Sequence, residues 1–271
     1  MGGMTAPILT DRAALARNRK RAKTDALFLH DIIADELHDR LGEVNRTFKS
    51  IGIVTGFPDH WAQHFPDATI VADDDTLALQ PQSHDLILHV MALHWANDPV
   101  GQLVQCRHAL KPDGLLLCSL FGGQTLNELR TSLAQAEANI TGGLSPRIAP
   151  MGEIRDLGAL LQRAGFALPV ADGTPLKVTY ETPFHLMREL RHMGEGNALD
   201  ARIKHPTRRG VLTEAAAIYQ DSFADGDRIK ATFEVITLTG WAPSEDQPKA
   251  LRPGSATTRL ADVLNTKETK I

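Results

Sequence analysis

The chain is 271 residues long, 42% hydrophobic and 23% charged, with a formal net charge of −4. That length fits one α/β domain with elaborations, and the apolar share is enough for a substantial core. The near-neutral charge excludes bulk attraction to nucleic acid or an anionic membrane, and without an 18-residue apolar run or a charged-then-apolar leader a soluble, cytoplasmic protein with no membrane insertion is expected.

Residues 11–23 (DRAALARNRKRAK) read as a helix with an acid at its start and bases towards its end, matching the helix dipole. Two readings stay open for it: a solvated helix, or an arm that closes on a site or grips an acidic partner. Residues 24–41 place Leu27, Phe28, Ile32, Ile33, Leu37 and Leu41 at helical spacing, which predicts a helix packed on the core. Residues 48–55 (FKSIGIVT) are the first strand, residues 59–65 a short helix, and residues 68–72 the second strand. An acidic turn, Asp73-Asp74-Asp75, follows.

Residues 85–117 organise the remainder. The apolar runs 86–91 and 115–120 have strand length and no polar alternation, so they read as strands covered on both faces, as in a parallel sheet. The stretch between them suits one crossover helix and the turn Lys111-Pro112-Asp113-Gly114. Open α/β sheets bind ligands beyond the carboxyl ends of their strands, so candidates fall at residues 89–95 and 121–125. Cys106 and Cys118 lie in these predicted buried elements at neither CxxC nor zinc spacing, and read as core thiols of a reducing compartment.

Further along, helices are predicted at 126–140 and 154–164, the second capped by Gly165 in the left-handed conformation. Residues 170–180 read as a strand or hairpin arm with Asp172-Gly173 as a turn. Helices at 184–193 and 211–223 precede a last strand at 229–241 (IKATFEVITLTGW), and the Pro- and Ser-containing tail from Ala242 is weakly ordered by composition.

Three stretches together carry a resemblance. They are Asp85-Leu86 with Leu93-His94-Trp95 and Asn97-Asp98; Leu110 with Lys111-Pro112-Asp113-Gly114; and Phe121-Gly122-Gly123 with Thr125-Leu126 and Glu128-Leu129-Arg130. The pattern resembles the class I S-adenosylmethionine-dependent methyltransferases. More narrowly, with Gly142-Gly143, Ser145-Pro146-Arg147, Met193-Gly194-Glu195 and Gly254-Ser255-Ala256-Thr257, it is similar to the branch of respiratory complex I assembly factors reported as protein-arginine hydroxylases. The carrier-protein methyltransferase of biotin synthesis is a more distant likeness.

The resemblance implies a Rossmann-like α/β sandwich, mostly parallel with an antiparallel last strand, S-adenosylmethionine as cofactor, and a respiratory-complex protein as substrate or partner. The implied layout is an N-terminal helical arm (1–45), a methyltransferase-like domain (46–241) with a helical lid at about 183–227, and a tail (242–271). Two departures oppose the cofactor. The family's Gly-rich loop is here Ile53-Val54-Thr55-Gly56-Phe57-Pro58-Asp59-His60, where Phe57 adds bulk and Pro58 offers no N–H. Between Gly56 and Asp85 there is room for only one strand, so one βα unit is expected to be missing.

On this frame Gly56, Asp73 and Asp74 are the adenosine-side candidates, with an ordinary acidic turn as the alternative for the aspartates. The backbone at His89, Met91 and Leu93 is the candidate for the methionine end. His94 and Trp95 are catalytic candidates on the substrate side; packing and backbone hydrogen bonding explain them equally. Asn97 or Asp98 is a candidate cap for the following helix. Phe121, Gly122 and Gly123 either approach the substrate or make a tight turn into a helix capped by Thr125. Arg147 either clamps a carboxylate of the substrate or pairs with a surface acid.

No His-x-Asp/Glu sequence occurs among the 11 histidines, so no dedicated metal site is expected. Two functions follow: an enzyme that modifies a protein substrate, and a non-catalytic binding or assembly factor that has lost S-adenosylmethionine.

Overall fold

The computed structural model describes residues 8–247 together with Thr258, Val263 and Thr266. The expectation of a weakly ordered tail and the Gly254–Thr257 motif therefore fall outside the described residues, apart from the tail's first residues, 242–247.

Strands β1 (Ile51–Thr55), β2 (Thr69–Ala72), β3 (His84–Val90) and β4 (Leu110–Gly122) are parallel. Strand β5 (Ala167–Tyr180) takes the far edge, and β7 (Arg228–Trp241) runs antiparallel between β4 and β5, giving the order β2-β1-β3-β4-β7-β5. The two-residue β6 (Ala224–Asp225) adds a short ribbon to β7. Only β2 lies outside β1, so the sandwich is short by one βα unit, as the spacing predicts.

The apolar runs are continuous because both faces of the sheet are covered. Leu86, Leu88 and Val90 point into one core layer and Ile87 into the other. The larger layer packs α2 (Phe28–Glu43), α3 (Pro58–His64), α5 (Asn127–Thr141), α7 (Pro183–His192) and α8 (Arg209–Ser222) around Trp61, Tyr219 and Phe233. The other packs α4 (Pro99–Ala109) and α6 (Ile154–Arg163). Burial of a side chain such as Leu88 or Phe233 contributes roughly 1.5–3 kcal/mol each. Among the described residues no helix is long and apolar enough to cross a membrane.

Three local expectations change. Asp172-Gly173 is not a turn: β5 runs through it, pairing Asp172 with Thr237 and Gly173 with Ile236. The long β7 offers a full ladder, and that pairing overrides the local turn preference. The turn at Lys111–Gly114 survives as a bulge inside β4, with Asp113 at φ +60° and a register shift between His84 and Leu86. The helix expected at residues 24–41 starts as a 3₁₀ turn, Thr24–Ala26, before α2. Gly165 caps α6 at φ +80°, as expected.

Candidate functional site

Helix α1 (Arg12–Lys20) lies across the carboxyl ends of the strands. Asp11 caps it by accepting from the Ala14 N–H (2.9 Å), and Arg202 donates to the other Asp11 oxygen (2.8 Å). The segment before it is pinned by Asn97, whose Oδ1 accepts from the Leu9 and Thr10 N–H groups, both at 2.9 Å. Asn18 donates to the Gly196 carbonyl. Of the two readings of the arm, closure over the strand ends is the one observed. The helix stands between two cavities, the first of about 500 Å³ at the ends of β1 and β2, the second of about 450 Å³ at the ends of β3 and β4.

Asp73, at the end of β2, dominates the first cavity. Its Oδ1 accepts from Arg19 Nη1 (2.6 Å), its Oδ2 from Arg12 Nη1 (3.2 Å), and its backbone carbonyl from Arg12 Nη2 (2.6 Å). Burial works to raise its pKa, but the two guanidinium charges outweigh burial and hold it down at about 2. Asp74 lies at the exposed rim, 3.7 Å from Arg12. Gly56 faces Arg19 so closely that a methyl group there would overlap the guanidinium, and Phe57 is buried with that guanidinium 5.8 Å over its ring.

These residues do not fit S-adenosylmethionine while α1 is docked. The carboxylate that would hold the ribose hydroxyls already accepts from an arginine at each oxygen, and the glycine that would admit close approach is covered by one of them.

The second cavity has a different character. Leu129, Leu133, Met187 and Leu212 contribute its apolar wall, and one end is aromatic, built from Trp95, Phe121 and Phe233. Glu195 is the sole carboxylate among its described lining residues. It is carried to this end by the Met193-Gly194-Glu195 turn after α7, where Gly194 takes φ +81°. Glu195 Oε2 accepts from Trp95 Nε1 (2.8 Å) and lies 3.3 Å from His94 Nε2. Its Oε1 is buried without a partner, as are Arg19 Nε and Nη2 and His94 Nδ1. Burial pushes the Glu195 pKa up, but the His94 hydrogen bond, the His94 and Arg19 charges and the Trp95 N–H together leave it below the usual value.

The remaining candidates sit as follows. His94 and Trp95 come together on Glu195, which sequence reasoning did not single out as a site residue; its only signal was the Met-Gly-Glu triplet. His89 is fully buried, its Nε2 2.9 Å from Gln102 Oε1, and Gln102 in turn donates to the Asp73 and Asp74 carbonyls. Met91 (φ +50°) and Leu93 belong to the two core layers, and neither they nor His89 line either cavity. Phe121 lines the second cavity. Gly122 and Gly123 instead abut Ile236, the Gly152 carbonyl and the Glu234 carboxylate. Thr125 is not a helix cap; its hydroxyl donates to the Gly122 and Glu234 carbonyls and accepts from the Glu234 N–H, locking β4 to β7. Arg147 reaches the cavity wall, but it already holds Glu137 in a fork (2.6 and 3.1 Å) and Thr207 at 2.9 Å. Asp98 caps α4 by accepting from the Gly101 N–H.

Comparison with known proteins supplies the context. Residues 50–118 match the "Methyltransferase domain" family. The chain is 33% identical over 253 residues to a Danio rerio protein named arginine-hydroxylase NDUFAF5, mitochondrial, covering 93% of this chain and 72% of that one. It is also 33% identical over 237 residues to a malonyl-[acyl-carrier protein] O-methyltransferase of Xylella fastidiosa, covering 88% and 72%. Among curated proteins of the hydroxylase name, the chain spans between 45% and 72% of the relative's length. A Bacillus halodurans crystal structure assigned to the methyltransferases superposes with TM-score 0.50 at 14% identity, covering 78% of this chain and 99% of that one, which shows the shared fold.

Proposed function

Because the chain belongs to the class I methyltransferase-fold family that includes the NDUFAF5 arginine-hydroxylases, we propose that it acts on a protein and takes an arginine side chain of that protein into the second cavity. The observation that carries this is Glu195, a buried carboxylate at the aromatic end of a chamber whose wall is partly apolar and whose other charged lining residues are Arg21, Arg147, Arg191 and Arg202. An arginine has a matching build. Its alkyl stem suits the Leu129, Leu133 and Met187 wall, and its planar guanidinium suits a carboxylate flanked by indole and phenyl rings. Trp95 and His94 hold the carboxylate in place. The two free thiols, Cys106 and Cys118, both buried, accord with a reducing, cytoplasmic setting.

A second reading, a binding or assembly factor without S-adenosylmethionine, is favoured by the engagement of Asp73 with Arg12 and Arg19. Calorimetry with an arginine-containing peptide and its citrulline counterpart tests the first reading. The arginine peptide should bind at least about tenfold tighter, and Glu195→Gln should abolish the difference; equal affinity for the two peptides sinks the proposal. Thermal shift with S-adenosylmethionine tests the second. Ligand at 100 times its Kd adds about 2.7 kcal/mol to any protein that binds it, so a clear shift would dismiss the cofactor-free reading.

A further inference from the structure

We propose that Asp31, His60 and His64 form a binding site for a first-row divalent cation of the zinc or ferrous type. The three residues come from two helices. Asp31 is in the first turn of α2, and His60 and His64 are one turn apart on α3. Histidines at i and i+4 share one helix face, which is the spacing that lets two imidazoles chelate one ion. Both Nε2 atoms lie 3.1 Å from Asp31 Oδ1, and the three potential ligand atoms all lie within 4.8 Å of one another. With metal–ligand bonds near 2.1 Å, tetrahedral ligands stand roughly 3.4 Å apart, so the donors need little movement to close on an ion.

A pair of surface hydrogen bonds would explain His64, which makes one with Asp31. It does not explain His60. That side chain is 7% exposed, and neither of its ring nitrogens has a hydrogen-bond partner, although Nε2 faces the carboxylate at hydrogen-bond distance. A buried ring nitrogen without a partner is destabilising and calls for one.

Side-chain contacts join α2 and α3 beside the cluster. Trp61, fully buried between the two histidines in sequence, donates to His30 Nδ1 at 3.1 Å, and His38 of α2 stacks on Phe65 with ring centroids 4.4 Å apart. The α2–α3 contact that sets the ligand spacing is therefore fixed by core packing.

Two imidazoles and one carboxylate favour borderline cations over magnesium or calcium, which prefer all-oxygen shells. Three protein ligands leave positions free on the ion. The Asp31 side chain is half exposed, which provides an entry path, and His60 also lines the first cavity. This site is separate from Glu195 and does not depend on the arginine reading.

The test uses the full chain, stripped of metal by chelation and dialysis, titrated with ZnCl₂ by calorimetry and with CoCl₂ by visible absorption. The expected result is one ion per chain, with cobalt bands of a low-coordinate nitrogen and oxygen site. His64→Gln and Asp31→Asn, both at partly exposed positions, should each weaken binding by at least about tenfold, the scale on which metal-site substitutions act. Their melting temperatures without metal should stay close to the parent's. Absence of saturable one-to-one binding overturns the proposal. So does binding that both variants retain unchanged, and so does a preference for Mg²⁺ over Zn²⁺.

Discussion

The two cavities flanking α1 are lined by the same helix and end on the same sheet, yet their buried carboxylates are partnered differently. In the first, Arg12 and Arg19 each donate to one oxygen of Asp73, although Arg19 Nε and Nη2 are themselves buried without a partner. In the second, Glu195 receives only an indole N–H and a histidine contact, and one of its oxygens has no partner. A polar group already satisfied within the fold serves stability, whereas one left short of partners is available to a ligand. Asp73 is held by the fold's own arginines, and Glu195 keeps one oxygen without a partner.

The largest effect should come from Asp73→Ala, which strands Arg19, a side chain 10% exposed, without its counter-ion. Breaking a buried pair from one side costs roughly 3–5 kcal/mol, read as a lower denaturation midpoint. Glu195→Gln, which keeps an acceptor for Trp95, should cost far less. Equal losses in the two variants would erase the contrast between the cavities.

Acid should act next on the packing behind Phe57. His30, packed edge-on to Phe57 and bonded to Trp61, is driven by burial from 6.5 to about 3. Its folded pKa is depressed, so its contribution is complete above pH 6.5 and is lost as the pH falls towards 3, on the order of 5 kcal/mol in all. Asp73 adds a second loss only below its usual 3.8, as the pH approaches 2. Urea titrations across this range should show the decline beginning near pH 6.5, and His30→Leu should flatten its upper part.

A smaller change, Gly56→Ala, pushes a methyl group into the Arg19 guanidinium. Overpacking of this kind costs roughly 1–3 kcal/mol. Cleavage of α1 at its arginines by trypsin should accelerate, while affinity for the arginine peptide stays nearest to the parent's. An unchanged cleavage rate would mean that Arg19 does not hold the helix down.

Much of the scaffold was legible because its signals are local. Continuous Leu/Ile/Val runs announced strands covered on both faces, Asp98 announced a cap, and the short interval between Gly56 and Asp85 announced the missing unit. The errors were also local signals, overruled by long-range pairing: Asp172-Gly173 looks like a turn until fourteen residues of β7 lie beside it. The site was legible only by halves. His94, Trp95, Asp73 and Gly56 could be singled out, but not what each would face.

By itself, then, the sequence determined which segments become strands and helices and the loss of one βα unit, since propensity and periodicity act over a few neighbours. Only the tertiary structure decided that Arg19 meets Asp73 across 54 residues, that Glu195 meets His94 across 101, and that Asp31 meets two histidines of another helix. Those pairings depend on how helices cross the strand ends, and that is fixed by burial of both sheet faces at once rather than by any stretch of chain alone.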